Sequence, residues 1–246
     1  MTIFATYNIK GGVGKTAAAV NLAWLSAHEG ARTLVWDLDP QGAATFYFRI
    51  RAKVKGGGRG LVRGKHELED LIKGTDFDNL DLLPADFSYR NLDLMLDEGR
   101  KPTRLRKLLK PLEEHYDHIF LDCAPSISLV SENVFRAAHT LLVPLIPTPL
   151  SLRTLEQLID FVEEAEVGDL RILPFLSMVD RRKRLHRELQ ETLPLQHPNL
   201  LHAAIPYASE VERMGLQRAP VCSFAAHSAG ALAYAELWQE IRAQLG

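Results

Sequence analysis

Seven short apolar segments alternate along the chain with segments of helical periodicity, and this alternation limits the folds available to it. Several of these segments are hydrophobic at every position rather than at every second one. That pattern is typical of parallel strands buried between two helical layers, because an antiparallel strand with one exposed face alternates instead. The predicted strands are Thr2–Tyr7, Thr33–Asp37, Leu80–Leu83, His118–Asp122, Thr140–Leu145, Arg171–Met178 and Leu201–Ile205.

The domain organisation follows from length and composition. The chain of 246 residues, 46% hydrophobic and 24% charged, has the balance of a globular protein, and its length fits one large domain or two small ones. Because it has no internal repeat and no linker rich in Ser or Pro, we expect a single α/β domain over residues 1–246. The glycine-rich stretch from Lys53 to Gly64 interrupts the pattern, and we expect a mobile insertion there. The first helix is predicted to end at Gly30, which suits a left-handed C′ position. The last helix carries one apolar stripe, formed by Tyr234, Leu237, Trp238, Ile241 and Leu245.

Composition also argues against several classes of protein. The longest apolar candidate for a membrane helix, Thr140 to Leu150, contains three prolines and is shorter than the roughly 20 residues such a helix needs. The N-terminus lacks a basic leader and an apolar signal region, so we expect a cytoplasmic protein. The two cysteines, Cys123 and Cys222, lack the spacing of a zinc or redox motif, and we expect inert core residues.

The strongest chemical signal follows directly after the first predicted strand. The run Ile9-Lys10-Gly11-Gly12-Val13-Gly14-Lys15-Thr16 joins an apolar strand to a helix, which is the context that a phosphate-binding loop needs. Its glycines let backbone N–H groups turn inward, and the helix N-terminus adds a positive dipole. Lys15 would neutralise the β- and γ-phosphates, and Thr16 would offer its hydroxyl to Mg²⁺. A purely structural glycine-rich turn is the alternative.

The loop departs from the general pattern G-x-x-x-x-G-K-[ST], because Ile9 takes the place of the first glycine and Lys10 follows it. The form K-G-G-x-G-K-T is the deviant Walker A motif, and with it the chain resembles the ParA/MinD family of ATPases, most closely the ParA branch. Leu34–Gly42 is similar to the family motif D-x-D-P-Q-G, Tyr116–Ser126 to its Walker B segment, and Met178–Arg182 to the stretch after its sixth strand. The resemblance implies a P-loop NTPase-like, mostly parallel sheet with helices on both faces.

The resemblance also implies ATP and Mg²⁺ as ligands. Lys10 is similar to the signature lysine, which in this family reaches the nucleotide phosphates of the partner subunit, although a solvated loop charge is the alternative. Asp39 matches the carboxylate that helps to position and activate the attacking water. The catalytic residues implied are thus Lys10, Lys15 and Asp39. The nucleotide contacts implied are Lys10, Gly11, Gly12, Val13, Gly14, Lys15, Thr16, Ala17, Asp180 and Pro206, of which Pro206 has the alternative of merely ending a strand.

Magnesium ligands are expected at Thr16, Asp37 and Asp122. Asp122 ends an apolar strand, where an unpaired carboxylate is costly to bury, so metal-bound water is its natural partner and a helix N-cap is the alternative. Asp37 ends the second strand, where it would hold the water shell of the magnesium ion or the loop.

The net charge of −2 conceals a strong segregation of charge along the chain. The segments Arg49–His66, Arg100–Lys110 and Arg181–Arg187 hold 18 of the 29 Lys and Arg residues and no acidic residue. The remainder therefore carries a formal charge of −20. A chain with this distribution can be acidic overall and still present a cationic face, although a solvated charge run is the alternative for any one segment.

ParA-like proteins bind DNA without sequence preference when dimeric, so the resemblance gives these segments a candidate partner. At Ile205–Gly215 the basic residues of the family pattern are replaced by Tyr207 and Glu210, so no DNA contact is carried over to that loop. Arg181 and Arg182 match an arginine pair of the family, and these two residues could instead belong to the nucleotide pocket or the dimer interface. The nucleic-acid contacts expected are Arg181, Arg182, Lys183, Arg184 and Arg187.

The sequence thus predicts an ATP-dependent, dimerising ATPase that binds DNA non-specifically over the nucleoid and segregates or positions a replicon or a protein assembly. A ParB-like or cargo-adaptor protein would stimulate its slow hydrolysis. Two alternatives stay open. One is a membrane-associated or cell-pole positioning ATPase similar to MinD, whose basic amphipathic tail the final helix lacks, so no membrane partner is expected. The other is a P-loop ligase or kinase acting on a small molecule.

Overall fold

The structure is a computed structural model that describes residues 1–97 and 103–245. Its strands are β1 (Thr2–Thr6), β2 (Thr33–Asp37), β3 (Lys73–Gly74), β4 (Leu80–Leu83), β5 (His118–Asp122), β6 (Thr140–Leu145), β7 (Arg171–Val179) and β8 (Ala204–Pro206). Its helices are α1 (Lys15–His28), α2 (Ala43–Tyr47), α3 (Gly57–Val62), α4 (Leu92–Asp97), α5 (Arg104–Leu109), α6 (Leu129–Ala137), α7 (Pro149–Glu164), α8 (Arg184–Gln196), α9 (Ser209–Glu212), α10 (Met214–Gln217), α11 (Val221–Phe224) and α12 (Ala229–Ala243). In addition, 3₁₀ turns lie at Glu69–Leu71, Phe87–Asn91 and Lys110–Glu114.

The eight strands of residues 1–97 and 103–245 form one sheet in the order β3-β4-β2-β5-β1-β6-β7-β8. Every neighbouring pair is parallel except β3 with β4. The register places Asp122 beside Thr6 on one side and beside Asp37 on the other. The carboxyl ends of the three central strands therefore meet at one point, and the loop after β1 starts there. The predicted α/β fold with a mostly parallel sheet is confirmed.

Two hydrophobic cores lie on opposite faces of the sheet, because successive residues of a strand point to opposite sides. Ile3 and Ala5 of β1 belong to one core, together with residues of α5, α6 and α7. Phe4 belongs to the other core, together with residues of α1 and α12. The apolar stripe predicted for the last helix packs there, with Tyr234 and Trp238 each 1% exposed.

The last predicted strand is displaced along the chain. Leu201–Ile205 was expected from its apolar residues, but β8 covers Ala204–Pro206. The reason lies in α12, where the Glu240 carboxylate accepts the backbone N–H groups of His202 and Ala203, each at 2.7 Å. These two N–H groups therefore donate to Glu240 and not to a neighbouring strand. The two-residue β3 was not predicted, because its sequence Lys73-Gly74 carries no apolar signal.

The stretch Lys53–Gly64, where we expected a mobile insertion, is not irregular throughout. This stretch contains α3, and two contacts hold it to the chain that follows β4. Val54 N–H donates to Asp86 Oδ2 at 2.9 Å, and Gly58 N–H donates to Ser88 Oγ at 2.7 Å. A Cβ at the buried Gly58 would lie 3.2 Å from the Tyr89 ring, so the glycine here permits close packing rather than flexibility.

Other local predictions agree with the structure. Gly30 follows Glu29, the C-cap residue of α1, and has φ 97°, as the left-handed C′ position requires. Cys123 and Cys222 are free thiols buried in the core. The cationic segment starts in a turn at residues 181–183, and α8 begins at Arg184. In the described ranges, no helix is both apolar enough and long enough to traverse a bilayer.

Candidate functional site

The glycine-rich loop between β1 and α1 has the conformation that its glycines allow. Gly12 and Gly14 have φ values of 71° and 94°, in the left-handed region that side chains disfavour. A Cβ on Gly14 would also lie 2.8 Å from Ser177 Oγ of β7. The loop is therefore seated directly against the sheet, and a side chain at position 14 would be strained by its φ and would also require Ser177 Oγ to move.

A chain of hydrogen bonds fixes the two lysines of the loop. The buried amine of Lys15 donates to the carbonyl oxygen of Lys10 at 3.0 Å, and the Lys10 N–H donates to Asn8 Oδ1 at 2.8 Å. The Asn8 amide in turn donates to the Pro144 carbonyl of β6 at 2.9 Å. Burial lowers the pKa of Lys15, and the nearby Asp122 carboxylate opposes this shift. Asn8 was not singled out in the sequence, because its partner lies on a distant strand.

The side chain of Lys10 has a different environment from that of Lys15. It is half-exposed. Within residues 1–97 and 103–245, its amine has no hydrogen-bond or ion-pair partner, although its own backbone is held at both the N–H and the carbonyl. The backbone of Lys10 is thus fixed, while its side-chain amine can bind a further group. The other loop residues range from the exposed Gly11 and Gly12 to the fully buried Val13, with Thr16 and Ala17 half-buried at the start of α1.

Asp122 is fully buried at the carboxyl end of β5. Its Oδ1 accepts the Thr6 hydroxyl at 3.4 Å, whereas no hydrogen bond reaches its Oδ2 from the described residues. Burial, followed by the charge of Asp37, raises the pKa of Asp122 well above its usual range, and the neighbouring Thr16 hydroxyl acts against this shift. The alternative of a helix N-cap is excluded, because Ser128 occupies that position in α6.

An orphaned buried carboxylate oxygen beside a threonine hydroxyl fits a hydrated magnesium ion. The described residues contain no group of three His, Cys, Asp or Glu side chains that could hold a metal by themselves. A metal at this position would therefore take its remaining ligands from water and phosphate, as Mg²⁺ commonly does.

Asp37 is also fully buried, but its carboxylate is engaged by the protein. Its Oδ2 accepts both the backbone N–H of Thr45 at 2.8 Å and the Thr45 hydroxyl at 2.7 Å. Thr45 Oγ1 also accepts the N–H of Ala85 at 2.9 Å, which links α2 to the end of β4. Burial raises the pKa of Asp37 to about 6 despite these bonds. The contacts correspond to the loop-holding role considered for Asp37, and a contact with the magnesium water shell stays a prediction.

Asp39 lies two residues beyond β2, in the loop that leads into α2. Its backbone N–H donates to Asp37 Oδ1 at 3.2 Å, and its own Oδ1 accepts the N–H of Gln41 at 2.9 Å. Asp39 is half-buried, so its carboxylate combines a fixed backbone with access to solvent. The arrangement suits a group that orients a water molecule.

Asp180 and Pro206 lie side by side at the carboxyl ends of β7 and β8. Val179 pairs with Pro206, and the N–H of Tyr207 donates to the Val179 carbonyl at 3.0 Å. Because β1, β6, β7 and β8 are parallel neighbours, both residues lie at the same carboxyl end of the sheet as the loop, and three strand spacings, about 14 Å, separate β8 from β1. The guanidinium of Arg182 lowers the pKa of Asp180 to about 2 and occupies its carboxylate.

The cationic cluster follows directly after Asp180, and all five of its members are exposed. Two are paired locally, since Arg182 contacts Asp180 at 2.9 Å and Arg184 contacts Glu188 at 2.6 Å. In the described part of the chain, no ion pair or hydrogen bond engages the charged groups of the other three. These are Arg181, Lys183 and Arg187. Of the other basic segments, Arg100 and Lys101 lie outside the described residues.

Comparisons with known proteins agree with this geometry. A family profile described as an AAA domain matches residues 1–171. The chromosome-partitioning ATPase Soj of Treponema pallidum is 31% identical to the chain over 251 residues, which cover 97% of the chain and 96% of that protein.

Two solved structures are also similar. Cobyrinic acid a,c-diamide synthase of Mycobacterium smegmatis, with a bound ATP analog and magnesium, has a TM-score of 0.83 and 27% identity over 98% of this chain and 94% of that one. The cell division ATPase MinD of Pyrococcus furiosus has a TM-score of 0.82 over 100% and 99% of the two chains, and at 23% identity it shows the fold alone. With the loop, the two acidic strand ends and the full-length relative in agreement, the chain belongs to the ParA/MinD family of ATPases.

Proposed function

We propose that this partition or positioning ATPase is an ATP-dependent dimerisation switch that binds DNA without sequence preference and carries a cargo over the nucleoid. The observation that supports the proposal most directly is the side chain of Lys10. Its backbone is fixed beside a phosphate loop, and its charge is free among the described residues. A cation held in this way can serve phosphates that its own subunit does not bind.

Within one subunit, the loop supplies the contacts that ATP needs. Its N–H groups and the N-terminus of α1 attract the phosphates. The Lys15 amine exchanges the carbonyl of Lys10 for a phosphate oxygen, which restores a charged partner to a buried cation. The wall formed by Asp180 and Pro206 is where the base would lie, at the far side of the same sheet edge.

Magnesium bound at Thr16 and beside Asp122 would neutralise charge on the β- and γ-phosphates during transfer. Asp122 would hold the water shell of the ion through its unpartnered Oδ2, and Asp37 keeps α2 in place through Thr45. Asp39 orients the attacking water from the loop after β2. Lys10 of the partner subunit stabilises the negative charge that spreads over the transferred group. Hydrolysis then releases the dimer, so the nucleotide sets its lifetime.

The cationic cluster supports the DNA part of the proposal. Arg181, Lys183 and Arg187 have no partner among the described residues, so each can neutralise a phosphate and release a counterion. Dimerisation doubles the number of such contacts, and affinity for DNA then changes steeply with ATP. A ParB-like or cargo-adaptor partner that stimulates hydrolysis would end this state.

The test measures the affinity for DNA at several salt concentrations, with and without ATP. Size-exclusion chromatography under the same conditions gives the oligomeric state. We expect dimers and DNA binding with ATP, and monomers with weak binding without it. In Arg181→Ala/Lys183→Ala, the negative slope of log affinity against log salt should become shallower by about 0.9 for each phosphate that is no longer neutralised. Arg182→Ala/Arg184→Ala is the matched control, because it removes the same charge from residues that are already paired. DNA binding that does not depend on ATP contradicts the switch.

A second candidate function comes from the similarity to the Mycobacterium smegmatis synthase, whose structure holds an ATP analog and magnesium. A small-molecule ligase with its substrate pocket within one subunit would not need Lys10 in the partner's site. Chromatography separates the two functions. A chain that stays monomeric with ATP and hydrolyses it normally when Lys10 is replaced favours the ligase.

A further inference from the structure

A cationic cavity lies at the edge of the sheet, away from the phosphate loop. Its volume is 490 Å³, and it is lined by the segment that follows α2 and by the residues that lead into β3. We call it the edge cavity. Its described lining carries one acidic side chain, Asp70, against four basic ones, Arg51, Lys53, Lys55 and Lys73. All five are exposed, so the cavity presents an excess of positive charge to solvent.

The positive charge of the edge cavity is not neutralised by the protein. Within residues 1–97 and 103–245, no hydrogen bond or ion pair engages the charged groups of its four cations. The nearby Asp86, which feels the charge of Lys53, is already satisfied. Its two oxygens accept the N–H groups of Val54 and Ser88, each at 2.9 Å. A ligand would therefore meet four available cations.

The floor of the edge cavity is apolar. Val54 and Leu71 are each 4% exposed, and Ile50 is half-buried beside them. A cationic rim around an apolar floor favours an anionic ligand that also carries an apolar group. Duplex DNA presents phosphates on a convex surface and brings no apolar group that could fill a concave floor. An acidic peptide offers both carboxylates for the rim and a side chain for the floor, as protein interfaces with an apolar centre and a polar rim do.

The edge cavity is joined to the hydrolysis machinery by short contacts. The N–H of Ile50 donates to the Thr45 carbonyl at 3.2 Å, and the Thr45 hydroxyl donates to Asp37. On the other side, Val54 is tied to Asp86, which follows the Ala85 N–H that Thr45 also holds. A segment bound in the cavity would thus contact Ile50 and Val54, which are hydrogen-bonded to Thr45 and Asp86 beside the loop of Asp39.

We propose that the edge cavity is the docking site for an acidic peptide segment of a protein partner, with an apolar side chain between carboxylates. That this partner is the one that regulates hydrolysis rests on the proposed function, whereas the binding itself does not.

The test uses the full chain and a fluorescein-labelled peptide of sequence Glu-Glu-Leu-Phe-Glu-Glu, followed by fluorescence anisotropy at 0.1 M salt. We expect saturable binding that Lys53→Glu/Lys55→Glu weakens by about tenfold or more, because charge reversal opposes the carboxylates. Lys107→Glu/Lys110→Glu on and after α5 changes the net charge equally and should leave the affinity within about twofold. The peptide Glu-Glu-Ser-Ser-Glu-Glu should bind about tenfold more weakly, because it cannot fill the floor.

Several results overturn the proposal. These are no saturable binding, equal weakening by the control variant, or equal affinity for the serine peptide. Loss of ATP-dependent DNA binding in Lys53→Glu/Lys55→Glu with unchanged peptide binding would assign the surface to DNA instead. The two proposals fail separately. If the unmodified chain shows no ATP-dependent DNA binding but binds the peptide through Lys53 and Lys55, the switch is wrong and the docking site stands.

Discussion

The side-chain amine of Lys15 donates a hydrogen bond to the backbone carbonyl of Lys10, with 3.0 Å between Nζ and O. The two lysines of the loop are therefore linked through the backbone of Lys10 and not through its side chain. Replacement of the Lys10 side chain leaves this hydrogen bond available. Variants at position 10 thus report on the charge of Lys10 alone.

We expect Lys10→Ala to abolish hydrolysis and weaken ATP-dependent dimers, because the cation that serves the partner's phosphates is removed. Binding of a fluorescent ATP analogue to the monomer should change by less than about threefold, since the loop itself is intact. Phosphate release and size-exclusion chromatography measure the effects. Lys10→Arg keeps the charge and is the matched control. Ordinary turnover in Lys10→Ala would remove the role in trans.

We expect Asp39→Ala to bind ATP, to hydrolyse it poorly and to accumulate as a dimer. The Asp39 carboxylate holds only the Gln41 N–H among the described residues, so the cost in stability should be about 1 kcal/mol. Phosphate release and chromatography with ATP test this expectation, and urea denaturation checks the folding. Normal phosphate release counts against the assignment of Asp39.

Thr45→Val should destabilise the protein by about 1–3 kcal/mol, because it removes a buried hydroxyl that bridges Asp37 and Ala85. Thr45→Ser keeps the hydroxyl and should cost less. Urea denaturation gives the free energies of unfolding. We also expect slower hydrolysis in Thr45→Val, since the loop of Asp39 loses its anchor. Equal stability of the two variants would show that the bridge contributes nothing.

The pH dependence of stability should carry the signature of the buried carboxylates. The pKa of Asp37 rises from an ordinary value near 3.8 to about 6, so between these values the folded state binds more protons than the unfolded chain. The contribution of Asp37 therefore lowers the free energy of unfolding of the ligand-free protein as pH rises from about 4 to about 6. Asp37→Asn should reduce this slope, measured by urea denaturation at both ends of the window. An unchanged slope would contradict the shift.

Gly14→Ala should abolish ATP binding and destabilise the protein by about 1–3 kcal/mol, because it combines a positive φ with a close approach of 2.8 Å to Ser177. Gly12→Ala is the natural comparison. Gly12 also has a positive φ of 71°, but nothing lies within 4 Å of a Cβ placed there. Thermal denaturation and binding of a fluorescent ATP analogue separate strain from steric conflict. Similar stability losses in both variants would show that only φ matters.

The sequence could predict elements whose signal lies within a few residues. The bounds of β2, β4, β5 and β6 agree with the apolar runs, because strands buried on both faces are continuous hydrophobic segments. Elements whose bounds depend on contacts with distant residues could not be predicted in this way. The start of β8 depends on Glu240, and the fold of α3 depends on Ser88 and Tyr89.

Within the site, the phosphate loop and the acidic strand ends could be located from consecutive residues, since these encode a strand, glycines and a helix start. Which side chains contact one another depends on how the strands and helices pack. The packing places Asp37 beside Asp122 and lets the Thr45 hydroxyl donate to Asp37. It also lets the Asn8 amide donate to the Pro144 carbonyl, 136 positions away along the chain. These contacts arise when the sheet assembles in its particular strand order, and no local pattern records that order.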